Sequence, residues 1–146
     1  MELGSYLMLP IFKLFGTNFD SIRFETIDDE NGLDIFTKVS FSFSSGLATA
    51  TCGLGVKSEG RLLISGTEGY IVVAPPWWKT TYFELHFEDP NRVERHSEPF
   101  LDDGLRYELS DMVAQINCTD TVDFKLSVKE SVAMAEVIEK FLATSR

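Results

Sequence analysis

The spacing of apolar residues divides the chain into helical ends and a central stretch of strands. From Gly4 to Phe15, apolar side chains cover most of the surface of a predicted helix, and Gly16 follows as a helix-ending glycine. An apolar surface all round a helix is typical of one that is buried or packed between two units. From residue 19 onward the apolar period changes to two, which indicates strands.

Short turn-like sequences separate the strand-like stretches, so we predict antiparallel hairpins. The clearest turns are the polar residues 28–32, which end in Asn31-Gly32, and the pair Ser45-Gly46. The predicted strands cover residues 19–27, 36–44, 47–54, 60–66, 69–73, 80–87 and 92–98.

Alternation within the second and third predicted strands separates an apolar face from a small polar face. Val39, Phe41 and Phe43 share one side, where we expect helices to cover them. The opposite side is expected to face solvent or the sheet of a partner. Its serine and threonine positions are Ser40, Ser42, Ser44, Thr49 and Thr51.

The last third of the chain is again helical in pattern. One helix is predicted from apolar residues at positions 105, 109, 112, 113 and 116. Another is predicted to begin at Ser127, where Glu130 three residues later completes a capping box. The predicted apolar stripe of this last helix is Val128, Val132, Met134, Ala135, Ile138, Phe141 and Leu142.

This order of elements predicts an α+β fold. We expect a two-layer sandwich in which an open, mainly antiparallel β-sheet carries helices on one face. The 146 residues contain no repeat, linker or low-complexity run, and their length suits one domain. Residues 1–146 are therefore predicted to form a single domain.

Composition excludes several classes of partner. The 13 basic and 23 acidic residues give a net charge of −10, which argues against binding to nucleic acid. No stretch approaches the roughly 20 apolar residues of a membrane span, and residues 5–15 lack the flanks of a secretory signal. The two cysteines, Cys52 and Cys118, fit free thiols in a reducing compartment, so a cytoplasmic location is expected.

The sequence offers no cofactor or metal motif of its own. Gly53-Leu54-Gly55 lacks a third glycine, since Ser58 stands in its place and no helix follows. His86 and His96 are the only histidines, in a stretch rich in carboxylates. A metal-dependent hydrolase built on them is an alternative, but two exposed histidines on an acidic hairpin need no special explanation. We expect no metal site.

Two adjacent tryptophans form the most unusual short motif. Pro75 and Pro76 are expected to end a strand, because proline donates no ladder hydrogen bond. Trp77 and Trp78 follow directly. They are candidates either to cover the edge of the core or to form a stacking platform for a ring-shaped substrate.

Several motifs, in chain order, together resemble the C-terminal domain of the glucose–fructose oxidoreductase/inositol dehydrogenase (Gfo/Idh/MocA) family. The opening Glu2-Leu3-Gly4-Ser5-Tyr6 is similar to that family's D-x-G-x-Y/H motif, with Glu2 at the aspartate position. The capped final helix also fits. The other matching stretches are residues 66–71 (GTEGYI), 75–78 (PPWW) and 104–108 (GLRYE).

The resemblance implies a role as half of an enzyme. In that family a Rossmann domain that binds NAD or NADP precedes this domain, and its glycine fingerprint and E-K-P motif have no counterpart here. The chain is therefore expected to lack the nucleotide-binding half and to be inactive alone. Tyr6 is the candidate catalytic residue, for proton transfer or substrate orientation, and its tyrosine form is similar to the dimeric dihydrodiol dehydrogenase branch.

The expected function is that of the substrate domain of an NAD(P)-dependent oxidoreductase acting on a sugar, a polyol or a related hydroxyl or carbonyl compound. Trp77 and Trp78 are candidate substrate-binding residues. A homo-oligomer through the open sheet face is also expected. The alternative is a stand-alone binding or dimerisation module that uses the same face.

Overall fold

The structure is a computed structural model that describes residues 4–99, 104–117 and 126–144. Two compact units make up the chain: a first unit of residues 1–57 and 124–146, and a second unit of residues 58–123. Glu2 and Cys118 lie outside the described residues. The helices and strands are α1 (Gly4–Phe15), β1 (Ser21–Asp28), β2 (Asp34–Phe43), β3 (Gly46–Cys52), β4 (Leu62–Ser65), β5 (Gly69–Val73), β6 (Tyr82–Phe87), β7 (Val93–Ser97), α2 (Leu105–Ile116) and α3 (Val128–Thr144), with one 3-10 turn at Trp77–Lys79.

The first unit packs α1 and α3 on a three-stranded antiparallel sheet of order β1-β2-β3. Val39, Phe41 and Phe43 of β2 are buried, as their alternation predicts. The ring of Phe41 meets the edges of Phe12 and Phe19 at centroid distances of 6.0 and 5.5 Å. Burial of aromatic rings between sheet and helices is the main stabilising contribution here.

Both helices of the first unit bury a narrower face than their sequences predict. On α1, Met8, Ile11 and Phe12 are buried, whereas Tyr6 and Leu14 are exposed, so the helix is not covered all round. On α3 the buried residues are Ala133, Met134, Val137 and Phe141. Four members of the predicted α3 stripe are exposed instead, because the sheet meets the helix on a rotated face: Val128, Val132, Ala135 and Leu142.

The predicted capping box at the start of α3 is present and also ties this helix to α1. Ser127 N and Oγ donate to Glu130 Oε2 at 2.7 and 2.8 Å, and Glu130 N donates back to Ser127 Oγ at 3.2 Å. Lys13 of α1 reaches the same carboxylate, with Nζ 2.9 Å from Oε1. The hydrogen bond from Lys13, followed by that from Ser127, lowers the pKa of Glu130 from 4.5 to about 2.

Glu130→Gln is expected to lower the free energy of unfolding by about 1 kcal/mol at neutral pH, because the amide keeps the cap but loses the ion pair. A carboxyl whose pKa is lowered by folding stabilises the protein above its ordinary pKa and ceases to do so as the pH falls toward the folded value. The gap between wild type and variant should therefore close between pH 4.5 and about 2. Urea unfolding across this range tests it, with Glu136→Gln on an exposed face of α3 as control; a pH-independent gap would contradict the charge argument.

The second unit consists of a four-stranded antiparallel sheet of order β4-β5-β6-β7, with α2 after it in the chain. Among its described residues no side chain is buried, although those of Ile71 and Leu85 are half-buried in the middle of one sheet face. The apolar stripe of α2 forms as a helix, as predicted, but is exposed: Leu105, Leu109, Met112, Val113 and Ile116.

The α+β class with open antiparallel sheets is confirmed. The seven strands of the described residues are divided between two sheets, where the sequence pattern predicts a single sheet. The ladder between β2 and β3 ends at the pair Thr37 and Cys52, and the glycines at 53, 55 and 60 then carry the chain through residues without strand structure. Within the described ranges, no helix is both long and apolar enough to span a bilayer.

Candidate functional site

The tyrosine proposed for catalysis lies on the exposed side of α1. Met8, Ile11 and Phe12 face the core of the first unit, which turns Tyr6 outward and leaves it 66% exposed. Because the hydroxyl is carried by a helix whose other face is fixed in the core, its position is defined although it is exposed. An accessible phenol at such a place can orient a hydroxyl group or pass a proton.

The two prolines and two tryptophans form a defined turn in the second unit. Strand β5 ends at Val73, and after Ala74 come Pro75 and Pro76, which are joined by a cis peptide bond. Trp77 then begins the 3-10 turn, and its backbone N–H donates to the carbonyl of Gly60 at 2.9 Å. This bond holds the tryptophan turn against the loop that precedes β4.

Gly60 also makes room for the second tryptophan. Its φ is +71°, and a Cβ at this position would lie 3.1 Å from the six-membered ring of Trp78. The ring therefore rests against a residue that has no side chain. The two indole rings are perpendicular, with centroids 6.0 Å apart.

The two tryptophans differ in their exposure to solvent. Trp77 is half-buried, as expected for a residue that covers the sheet edge. Trp78 remains 57% exposed and presents a large aromatic surface to solvent. An exposed indole held in place by a backbone contact is a suitable platform for stacking on the apolar face of a sugar ring. The structure brings these two residues together, whereas Tyr6 belongs to the other unit.

The two histidines occupy opposite faces of the four-stranded sheet. His86 pairs with Val93 across the β6–β7 ladder, and His96 pairs with Phe83, so three residues of β6 separate the two positions. An odd separation along a strand places side chains on opposite faces. A metal centre using both is thereby ruled out, and the described residues contain no cluster of three metal-ligating side chains.

His86 instead belongs to a small stacked group that the sequence does not reveal. Its ring lies parallel to that of Tyr70 on β5, with centroids 4.7 Å apart and an interplanar angle of 4°. Nε2 is 3.1 Å from Glu84 Oε2. Only the register of β5 against β6 brings Tyr70 to His86, and nothing in the sequence fixes that register.

An apolar hollow lies at the end of the β4–β5 hairpin. Its volume is about 260 Å³, and side chains from three strands contribute Ile64, Ile71, Leu85 and Phe87 to its lining. Binding sites for small molecules combine apolar walls with a few polar groups that fix orientation. Glu68 and His86 also line the hollow, but the surface that it exposes is mostly apolar, which does not suit a charged dinucleotide.

The open face of the three-stranded sheet is polar at its centre. Ser40 pairs with Arg23 on one side and with Thr49 on the other, as the predicted stripe requires. Lys38 Nζ lies 3.1 Å from Glu25 Oε2. The hydrogen bond from Lys38 and then the charge of Arg23 hold the pKa of Glu25 below its usual value, so the cluster stays charged at neutral pH.

Cys52 is no candidate nucleophile. It is half-buried at the end of β3, and burial raises the pKa of its thiol, with the charge of Asp34 acting in the same direction. A thiol needs a lowered pKa to react as the thiolate.

Comparison with known proteins identifies the fold. UDP-N-acetylglucosamine 3-dehydrogenase from Acidithiobacillus ferrooxidans matches 92% of this chain with 43% of its own, at a TM-score of 0.74 and 15% identity. The candidate oxidoreductase YvaA from Bacillus subtilis matches 99% of this chain with 49% of its own, at a TM-score of 0.71 and 12% identity. A candidate oxidoreductase from Klebsiella pneumoniae matches 99% of this chain with 46% of its own, at a TM-score of 0.71 and 14% identity.

Comparison by sequence, by contrast, finds no significant match. No protein-family model matches the chain, and no curated protein matches it significantly. The chain spans slightly less than half the length of each of these three structures. The structures that share its fold are Gfo/Idh/MocA-type oxidoreductases, and the chain has the fold of one part of such a protein.

Proposed function

We propose that this chain is the substrate domain of an NAD(P)-dependent oxidoreductase that acts on a sugar, a polyol or a related hydroxyl or carbonyl compound. The observation that carries the proposal is the match of nearly the whole chain to less than half of a nucleotide-sugar dehydrogenase. The motif resemblance at residues 66–71, 75–78 and 104–108 supports it independently of the fold.

The cofactor would be held by the other half of the enzyme. The described strands are all antiparallel, and no helix follows the Gly53-Leu54-Gly55 turn directly, so this chain does not fit the strand–glycine–helix arrangement that binds a dinucleotide. When bound in the complete protein, NAD or NADP would supply the hydride chemistry. This chain's own residues would bind and orient the substrate.

Each unit carries one candidate residue of its own. The exposed indole of Trp78 offers a flat apolar surface on which a sugar or polyol can rest, and Gly60 fixes where that surface lies. Tyr6 would hydrogen-bond the reacting hydroxyl or pass its proton. The tyrosine at this place is the feature that favours the branch similar to dimeric dihydrodiol dehydrogenase. The cysteine usage favours a cytoplasmic enzyme.

The isolated chain is expected to bind neither NAD nor NADP in the micromolar range. The reason is that residues 4–99, 104–117 and 126–144 contain no glycine-rich phosphate-binding loop that leads from a strand into a helix. Calorimetric titration of the purified chain tests this, and the control is the product of the complete reading frame, which should bind one of the two cofactors. Micromolar binding to the isolated chain would contradict the proposed division of labour.

A second candidate function is a stand-alone binding or dimerisation module. The open face of the three-stranded sheet favours it, because half-buried Ser40 and Ser42 lie beside exposed Leu47 and Thr49 on a surface that no described helix covers. Small side chains let two sheets approach closely. The two functions are compatible, since oxidoreductase subunits can also pair through such a face.

Light scattering is expected to show a dimer or larger assembly. Thr49→Glu combined with Ser40→Glu should shift the chain toward monomer, because like charges would then repel across the paired faces. Glu98→Lys, which changes charge at an exposed position of the second unit, is the control and should leave the mass unchanged. A wild-type monomer at high concentration would remove the proposed interface but leave the oxidoreductase proposal intact.

A further inference from the structure

The turn between β1 and β2 places an asparagine directly before a glycine at an exposed tip. Asn31 and Gly32 are both exposed. Gly32 has a φ of +76°, and nothing lies within 4 Å of the place where its Cβ would be. The backbone nitrogen that follows an asparagine can attack the side-chain amide, and a glycine at that position presents no side chain to block the approach.

We propose that Asn31 is the residue at which this chain deamidates spontaneously, and that the Asp29 carboxylate controls the rate. In this reaction the Gly32 nitrogen loses its proton to water and bonds to Asn31 Cγ, the Cγ–Nδ2 bond breaks, and the departing NH2 group takes a proton from water and leaves as ammonia. Water then opens the five-membered succinimide at either carbonyl. The products carry aspartate or isoaspartate at position 31.

Asp29 restrains both groups that must react. Its Oδ2 accepts a hydrogen bond from Asn31 Nδ2, the leaving group, at 3.3 Å, and its carbonyl accepts one from the attacking Gly32 nitrogen at 3.1 Å. Its Oδ1 accepts from the backbone N–H groups of Asn31 and Leu33 at 2.8 and 2.9 Å. An intramolecular step is fast only from a near-attack geometry, so these bonds slow it.

The restraint should operate throughout the neutral range. The hydrogen bond from the Leu33 N–H, and with it those from Asn31, keeps the pKa of Asp29 below its usual value. The carboxylate therefore remains ionised and accepts all three hydrogen bonds under ordinary conditions. Loss of this side chain frees the Asn31 amide.

The β6–β7 turn supplies an internal comparison. Asp89 Oδ1 accepts from Asn91 N at 2.9 Å and from Asn91 Nδ2 at 3.2 Å, and the Asp89 carbonyl accepts from Arg92 N at 2.9 Å. In both turns the aspartate accepts hydrogen bonds from the asparagine N–H, from the asparagine Nδ2 and from the N–H of the next residue, but that next residue differs. The guanidinium of Arg92 lies 3.8 Å from the Phe87 ring centre, so this turn carries an ordered bulky side chain where the first has none.

Deamidation would alter the hairpin that borders the core. The isoaspartate product adds one methylene to the main chain between β1 and β2 and adds a negative charge beside Asp28, Asp29 and Glu30. This change lies next to the pair formed by Asp28 and Asp34, where the ladder register already shifts. Isoaspartate is also the group that protein carboxyl methyltransferases recognise, which gives a direct assay.

The test is incubation of the full chain in mildly alkaline buffer, followed by peptide mass spectrometry. Wild type should gain about 1 Da at Asn31 with isoaspartate detectable by enzymatic methylation, while Asn91 stays unchanged. Asp29→Ala should raise the rate at Asn31 about tenfold, a factor that corresponds to about 1.4 kcal/mol. Asp89→Ala is the matched control and should leave Asn91 unmodified. Asn31→Gln should abolish the gain at this turn.

The outcomes separate the two parts of the proposal. Equal rates at Asn31 and Asn91 would overturn the assignment of the site. An unchanged rate in Asp29→Ala would overturn the role of the carboxylate. Asp29→Asn, which keeps the size of the side chain, serves as a second variant, and thermal melts followed by circular dichroism establish that each protein is folded during the incubation.

Discussion

Replacement of Phe41 by alanine is expected to lower the free energy of unfolding by about 3–5 kcal/mol. Phe41 is 2% exposed and lies at the centre of the first unit. Its ring contacts Phe12 of α1 and Phe19, and stacks beside Phe43 at a centroid distance of 6.1 Å. Removal of the ring leaves a cavity that sheet and helix can fill only in part, which adds to the lost burial.

Urea unfolding measures this effect, and α3 provides the control. Leu142 is 56% exposed, so Leu142→Ala should change the free energy of unfolding by less than about 0.5 kcal/mol. A loss below about 1 kcal/mol for Phe41→Ala would mean that the contacts between α1 and β2 are not the core of the folded protein.

Replacement of Tyr6 by phenylalanine in the complete oxidoreductase that we propose is expected to lower kcat about 100-fold with little change in KM. A 100-fold decrease is the lower end of the range expected when a positioned proton-transfer group is lost. Tyr6 is 66% exposed, so loss of its hydroxyl should leave folding intact. Steady-state kinetics on a sugar or polyol substrate, with an unchanged melting temperature as the check on folding, give the answer.

Trp78→Ala serves as the contrasting variant in the same assay. Because an aromatic platform binds ground state and transition state alike, its loss should raise KM about tenfold and alter kcat little. If Tyr6→Phe also changed KM alone, Tyr6 would be a binding residue and not a proton-transfer group. If neither variant changed either constant, the substrate would lie elsewhere in the protein.

Elements whose ends are marked by local chemistry were predictable from the sequence. Gly16 ends α1 with a φ of +79°, and its N–H donates to the Phe12 carbonyl at 2.9 Å. The turn before Leu33 and the capping box at Ser127 are likewise formed by the residues that predict them. In each case the hydrogen-bonding partners lie within a few residues, so no knowledge of the tertiary structure is needed.

Features that depend on distant residues were not predictable. Val132 and Met134 are both apolar, and only the position of the sheet decides that Met134 is buried and Val132 is not. The pairing of Tyr70 with His86 depends on a ladder register that period-two alternation leaves open. The sequence therefore offered Tyr6, Trp77 and Trp78 only as individual candidates, and the contact between Trp78 and Gly60 is seen only in the structure.

Through the contact between Gly60 and Trp78, the loop before β4 supports an aromatic ring that belongs to the turn after β5. A Cβ at position 60 would lie 3.1 Å from the Trp78 ring, so a larger residue there would shift the indole although both tryptophans are unchanged. The orientation of the Trp78 ring thus depends on a residue that lies in a different loop from its own. Attempts to transplant the PPWW turn into a relative would have to carry the preceding loop with it.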